Sequence, residues 1–547
     1  MNSINRRSVL LAGLGVAGAG ALAACSSNSS SSEGTPSLVS PDGRAVAATD
    51  RKRESTGKVH NLTLTAAPAM LDLGGGMTAK SWAFNGRVPG KEIRLSAGDT
   101  LAAELSNQLP GKTTTSIHWH GIALRNDMDG VPPATQSAVR TGSNFTYGFI
   151  ADAPGTYFFH PHVGVQLDRG LYGPLIVEDP KEPLSYDDEW VIVLDDWVDG
   201  VTGTPDEVFA ELQHGMGGMD MGGSSPSPSS SAGDGMGDMG GMDMGHMSMS
   251  GASNSMGKAS ASPSGGMPMK FMLMGAESKL LGGDAGDVKY PYHLVNGRVP
   301  TDPDVYTGKP GKRLRLRIIN SGGDTAYRVA LGGHKLTITH TDGFPIRHQQ
   351  VDALLVGMGE RYDVLVTLDE GVFPLVALAE GKNASGMALV RTGPGSAPRA
   401  TVRPKELDGM IMAASQLKAA DEVRLETRKA DRVHRIELTG GMDTYDWGIN
   451  GKGFDMNNPT ASPLLVKQGE RVRLDFVNTT TMWHPMHLHG HTYQLGSGGP
   501  RKDTTMVLPK TTVSVFFDAD NPGRWMLHCH NAYHGEAGMM TLVSYQA

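Results

Sequence analysis

Nineteen histidines are spread over 547 residues, yet nine of them fall in His-x-His spacing, at 118/120, 160/162, 487/489, 489/491 and 528/530. Random placement would give about 0.7 such pairs, so the spacing is a pattern. In a strand, residues i and i+2 share a face and i+1 points away. HWH (118–120), HPH (160–162) and HLH (487–489) therefore each offer two imidazoles to one side. HCH (528–530) goes further: His528 and His530 share one face while Cys529 points to the other. One tripeptide can then ligate two centres, with the backbone between them as a short covalent path.

Cys529 is one of two cysteines. The other, Cys25, lies in an export-type leader, so Cys529 has no disulfide partner to count on. A metal ligand, a reactive thiol and a buried small side chain are the readings open to it. His534 follows by five residues and Met539 by five more, a loop able to fold back on the sulfur. His484 precedes His487 by three, with Pro485 between, so it can face away from the HLH pair. Cysteine, two histidines and a weak axial methionine form the ligand set of a blue-copper electron-transfer site. That leaves His118, His120, His160, His162, His487, His489, His528 and His530. Eight imidazoles suit three copper ions with positions open for oxygen species.

The elements that must hold these residues repeat three times. AFNGRVPGKEIRLSAGDTLAAELSN (83–107), LVNGRVPTDPDVYTGKPGKRLRLRIIN (294–320) and GINGKGFDMNNPTASPLLVKQGERVRLDFVN (448–478) each run from an Asn-Gly turn to an alternating strand ending in Asn. Spacings above 150 residues exclude a short-period solenoid. An all-β chain of three related domains, built as antiparallel sandwiches or Greek-key barrels, is expected. The domains fall at 55–180, 185–395 and 430–547, with a linker at 396–429.

The first 25 residues pair Arg6 and Arg7 with a short, small-residue apolar run and end in LAAC. This resembles a Tat signal with a lipobox, Cys25 being the lipidated residue. Export and a lipid anchor on the outer face of the cytoplasmic membrane follow, with 26–54 as a flexible tether. The net charge of −8 gives no case for a nucleic-acid partner. Residues 214–270 hold twelve of the thirty methionines and almost no branched aliphatic or aromatic residue. No core can form there, so the insert is expected to be disordered. Thioethers favour Cu(I), which points to copper capture.

HWHG, HPHVGVQLDRGLYG, HPMHLHGH and HCHNAYHGEAGMM resemble the four copper-binding segments of the multicopper oxidases, and GERYDVLV (359–366) is similar to their middle domain. The resemblance spans about 55–547 and implies three cupredoxin-like Greek-key β-sandwich domains. It implies four copper ions: type 1 on His484, Cys529, His534 and Met539; type 2 on His118 and His487; a type 3 pair on His120, His160, His162, His489, His528 and His530. Electrons would pass from type 1 through Cys529 to His528 and His530, and O2 would be reduced to water. Asp129 matches the family's acidic residue beside type 2. Gly535 stands where an acidic residue usually follows the last type 1 histidine, and Glu536 comes one place later as a candidate proton donor.

For the reductant, the insert and Met482 favour Cu(I), with Met242, Met244, Met247 and Met249 as capture residues. Thr480 replaces the Asp that accompanies Met482 in cuprous oxidases of the family. A laccase for phenols or a ferroxidase for Fe(II) is the enzymatic alternative. A non-enzymatic copper buffer is the other, and it would have no need of so complete a histidine set. A monomer is expected.

Overall fold

The computed structural model describes residues 37–215 and 269–547. Along the chain the long sheets fall into three successive pairs: four- and four-stranded, six- and six-stranded, and six- and five-stranded. Each pair encloses an apolar core, the first around Trp119, Tyr147 and Phe159, the second around Ile318, Tyr327 and Val364, the third around Trp447, Phe476 and Trp525.

The threefold sequence repeat has a structural cause. Asn85, Asn296 and Asn450 have φ near +50° and each is followed by a glycine with positive φ, the backbone of a type I′ turn. The Asn85 and Asn296 side chains each bind two backbone groups of the unit's first strand, and Asn450 Oδ1 accepts from Glu437 N. The alternating strands Asp99–Asn107, Arg313–Asn320 and Arg471–Asn478 follow. In Asp99–Asn107 every second residue is buried. Each strand ends on an asparagine whose amide donates to two carbonyls and whose oxygen accepts from the N–H two residues on. These buried amides close the sandwich end where the strand leaves its sheet.

Two features differ from expectation. The sheets are not purely antiparallel. The repeat strand of each unit pairs in parallel with that unit's first strand, as in Val59–Gly74 with Asp99–Asn107. The chain between them crosses to the opposite sheet, which a hairpin cannot do. Nor are all of residues 26–54 a tether. Arg44–Asp50 is a helix, Leu38 bridges Gln546, and Val39 and Val46 are buried in the third core. Burying each valine contributes about 1.5–3 kcal/mol toward the cost of ordering this segment. Residues 396–429 likewise contribute an edge strand, Ile411–Met412, to a sheet of the second pair.

Register then does the positioning. In the first sandwich His118–His120 runs antiparallel to Gly155–His160, setting His118 opposite His160. In the third, His484–Leu488 runs antiparallel to Arg524–Cys529, setting His487 opposite His528 and Met486 opposite Cys529.

Candidate metal centres

The strand Arg524–Cys529 carries Cys529 to the sheet end, and a one-turn helix, Ala532–Glu536, follows. Asn531 caps that helix by accepting from Tyr533 N and His534 N, and its amide donates to Asp324 Oδ1 at 2.6 Å. Met539 N donates to His534 O and Cys529 N to Met539 O, which closes the loop over the sulfur. His484 Nδ1 and His534 Nδ1 end 3.0 Å apart, each 3.7 Å from Cys529 Sγ. All four side chains, Met539 included, are buried.

Their outer nitrogens are held differently. His534 Nε2–H donates to Asp287 Oδ2 at 2.8 Å, whereas His484 Nε2 lies 2.9 Å from the neutral Thr480 hydroxyl. Burial pulls the His534 pKa down, but Asp287 and Cys529 outweigh it and raise it to about 10. Burial and His534 push His484 well below the usual imidazole range. Trp447 covers both rings, with centroids 4.3 Å from His534 and 5.2 Å from His484. Asp287→Asn removes a charge from one ligand only. Loss of such a supporting partner typically costs about 10–100-fold in activity or metal affinity. The expected result is slower reductant oxidation in that range, with a shifted redox potential at this site, read by spectroelectrochemistry.

Beyond Cys529 lies a second assembly. His528 Nδ1–H donates to Cys529 O at 2.8 Å, which turns its Nε2 inward to 3.1 Å from His489 Nε2. His530 Nε2 lies 3.2 Å from His120 Nδ1, and His118 Nε2 lies 3.4 Å from His487 Nε2. His162 packs edge-on against His489 and His528. His160 Nδ1–H donates to Pro161 O, while its Nε2 is buried with no protein partner. Triplets of ligand atoms within 4.8 Å form at His118/His120/His160, His162/His489/His528 and His118/His487/His489. Burial first, then the neighbouring imidazoles, holds His120, His160, His162, His489, His528 and His530 well below the ordinary histidine pKa. They are neutral near pH 7, with lone pairs free for a metal. The donor chemistry and the orphaned His160 Nε2 both fit copper.

Two buried carboxylates frame the cluster. The Asp129 backbone carbonyl accepts from His118 Nδ1 at 3.0 Å, and its carboxylate accepts from His489 Nδ1, Oδ2 lying 3.0 Å away, with Oδ1 3.2 Å from His118 Nδ1. Gly130 makes this approach possible: at φ +78° its missing Cβ would lie 1.8 Å from Ile117 O. Asp503, which sequence reasoning missed, stands 3.1 Å from His120 Nε2, and its carbonyl accepts from His487 Nδ1 at 3.0 Å. Arg361 of the middle sandwich grips Asp503 with two bonds of 2.7 Å and, against burial, holds its pKa well below the usual carboxylate range. The signal was present in GERYDVLV and RKDTT, charged residues inside strand-like runs.

Glu536 is exposed at the helix end and lines a cleft shared with His160, His162, His528 and His530. Met482 is 1 % exposed and packs in the third core, its backbone held by Asn478 and Thr480. Cys25, Met242, Met244, Met247 and Met249 lie outside the described residues. His491 is no cluster ligand; it bonds Tyr545 OH and His489 O.

Three family models described as multicopper oxidase match residues 66–182, 256–394 and 428–546. The multicopper oxidase MmcO of Mycobacterium tuberculosis is 44 % identical over 537 residues, covering 97 % of this chain and 95 % of its own. Copper resistance protein A of Escherichia coli is 27 % identical, covering 84 % of this chain and 88 % of its own. Among solved structures, Fet3p, a multicopper oxidase that functions in iron import, superposes with TM-score 0.68 at 19 % identity, over 89 % of this chain and 90 % of its own. At that identity it supports the fold alone. This chain belongs to the multicopper oxidases. It is an oxidoreductase with copper as its cofactor, on three cupredoxin-type sandwiches.

Proposed function

We propose that the chain holds four copper ions and couples oxidation of Cu(I) to reduction of O2 to water, serving copper tolerance. The observation that carries this is one HCH tripeptide shared between a Cys/His/His site and an eight-imidazole cluster. His484 Nδ1, His534 Nδ1 and Cys529 Sγ, together with Met539, would hold the type 1 ion. His118 and His487 hold type 2. His120, His160 and His530 hold one type 3 ion, and His162, His489 and His528 the other. When bound, copper supplies one-electron chemistry at the sulfur site and four-electron oxygen reduction at the cluster. The protein's part is orientation and proton supply. Cys529 O fixes the His528 tautomer, and Asp129 and Asp503 fix His118, His489, His120 and His487. Asp129 and Glu536 are the proton-handling carboxylates.

Cu(I) as reductant is supported by where the insert is rooted. Glu211 accepts from Lys270 N, Phe271 N and Met272 N at 2.7–3.0 Å, so the insert leaves and returns at one point. Gly215 abuts Asp443, and Met269 and Met442 pack on the core that includes Tyr445 and Trp447, the latter covering the type 1 histidines. The test is O2 uptake with stabilised Cu(I), comparing the intact protein, a chain with 214–270 replaced by a short glycine linker, and Cys529→Ser. Uptake should vanish in Cys529→Ser and fall about tenfold without the insert, the scale of losing a metal-supporting element. The deletion should melt close to the parent, since closing a pinned loop changes chain entropy little. O2 uptake driven by phenols or Fe(II) but little by Cu(I), and unaffected by the deletion, would make the enzyme a laccase or ferroxidase.

Export through the Tat route, lipidation at Cys25, domain limits at 55–180, 185–395 and 430–547, and a monomeric state complete the proposal. Among the described residues no helix is long and apolar enough to cross a membrane. A Cys25→Ala chain is expected in the soluble rather than the membrane fraction on centrifugation; retention in the membrane would refute the lipid anchor.

A further inference from the structure

The histidine cluster is reached from outside by a cleft of about 50 Å³. That is room for a handful of waters or an ion and too little for an aromatic substrate. Its wall is graded in ligand chemistry. Met456 stands at the rim, 45 % exposed. Met526 and Met540 lie deeper, 1 % and 8 % exposed. His162, partly exposed, and the buried His160, His528 and His530 line the same cleft. The register explains the grouping. Met526 precedes His528 by two in the strand Arg524–Cys529 and so shares its face, and Met540 is directly opposite His528 in the neighbouring strand. The described residues lining the cleft include no Lys or Arg and one carboxylate, Glu536.

Water and O2 need no sulfur to pass; leucine would line such a path equally well. Three thioethers leading to imidazoles instead suit a soft, singly charged metal ion. We propose that this cleft is the loading route of the histidine cluster, with Met456, Met526 and Met540 as a transient Cu(I) site through which the ion reaches His162 and its neighbours. The step is ligand exchange alone. Thioether sulfurs give way to imidazole nitrogens on Cu(I), and no electron is transferred. Weak successive sites let the ion advance without being trapped, the same balance that governs conduction through a pore. The proposal rests on the reading of the eight imidazoles as copper ligands. It is distinct from the insert, one end of which abuts Asp443.

The test is anaerobic reloading of the copper-free full chain with Cu(I) in acetonitrile. Bound copper is measured against time, and after admission of air the blue type 1 band and the near-ultraviolet type 3 band report which site has filled. In Met456→Leu/Met526→Leu/Met540→Leu, a nearly volume-conserving change, the cluster should fill about tenfold more slowly. Type 1 should fill at the parent rate, and the fully loaded variant should turn over as the parent does. Met456→Leu alone, at the exposed rim, should slow cluster filling in the same direction with no folding penalty. Parent-like filling of the cluster in both variants would overturn the loading route. A parent protein that never acquires copper beyond type 1 would instead overturn the assignment of the imidazoles.

Discussion

Asp129→Asn is expected to lower O2 turnover by about 10²–10⁴-fold, the range lost with a positioned acid–base group. The carboxylate is fully buried, accepts from His489 Nδ1 and lies 3.2 Å from His118 Nδ1, which donates to the Asp129 backbone carbonyl, so this residue orients two cluster ligands and stands beside the reacting centre. The amide is nearly isosteric and its oxygen can still accept from His489, but it carries no charge beside the two rings and cannot carry a proton through the cycle. The sulfur site lies on the far side of the HCH tripeptide and does not touch Asp129, so the blue band should form and bleach with reductant at the parent rate. Only its reoxidation by O2 should be slow. Stopped-flow absorbance separates the two phases. Equal slowing of both would mean a general folding defect, and parent-like reoxidation would remove Asp129 from the oxygen chemistry.

Removing the Arg361 guanidinium is expected to be the most destabilising single change near the cluster. Arg361 and Asp503 are both fully buried and joined by two bonds, and Arg361 also donates to Thr156 O and Gly359 O. One side chain thus ties the middle sandwich to strands of the first and third. Arg361→Met leaves the Asp503 carboxylate without its cation, and breaking a buried pair from one side costs about 3–5 kcal/mol. Asp503 then loses its fixed aim at His120 and His487, so copper should leave the cluster about 10–100-fold more readily. Calorimetry of the copper-free protein measures the first effect, and copper retained against a chelator the second. The Arg361→Met/Asp503→Leu double variant should regain part of the stability, because no unpaired charge remains, but not the copper retention. Recovery of both would reduce the pair to packing.

The chemistry was legible in the sequence because strand periodicity is local. An i, i+2 pair of histidines in extended chain must share a face, and the three repeats announce themselves through Asn-Gly turns whose positive φ few residues accept. The offset of His484 from His487 could be read the same way, and the two rings do face different centres. What could not be read depends on segments far apart in the chain. Asp503 meets His120 across 383 residues, and Arg361 reaches it from another sandwich. Asp287 reaches His534 across 247 residues. No periodicity encodes such contacts; they exist only once three cores have docked. The burial of Met482 in the third core has the same origin, its backbone being held by Asn478 and Thr480. The sequence by itself determined which atoms are donors and which of them travel together on one strand. Tertiary structure alone decided which strands meet, which carboxylates aim the imidazoles, and where the cluster opens to solvent, because burial and register between domains are properties of the packed whole.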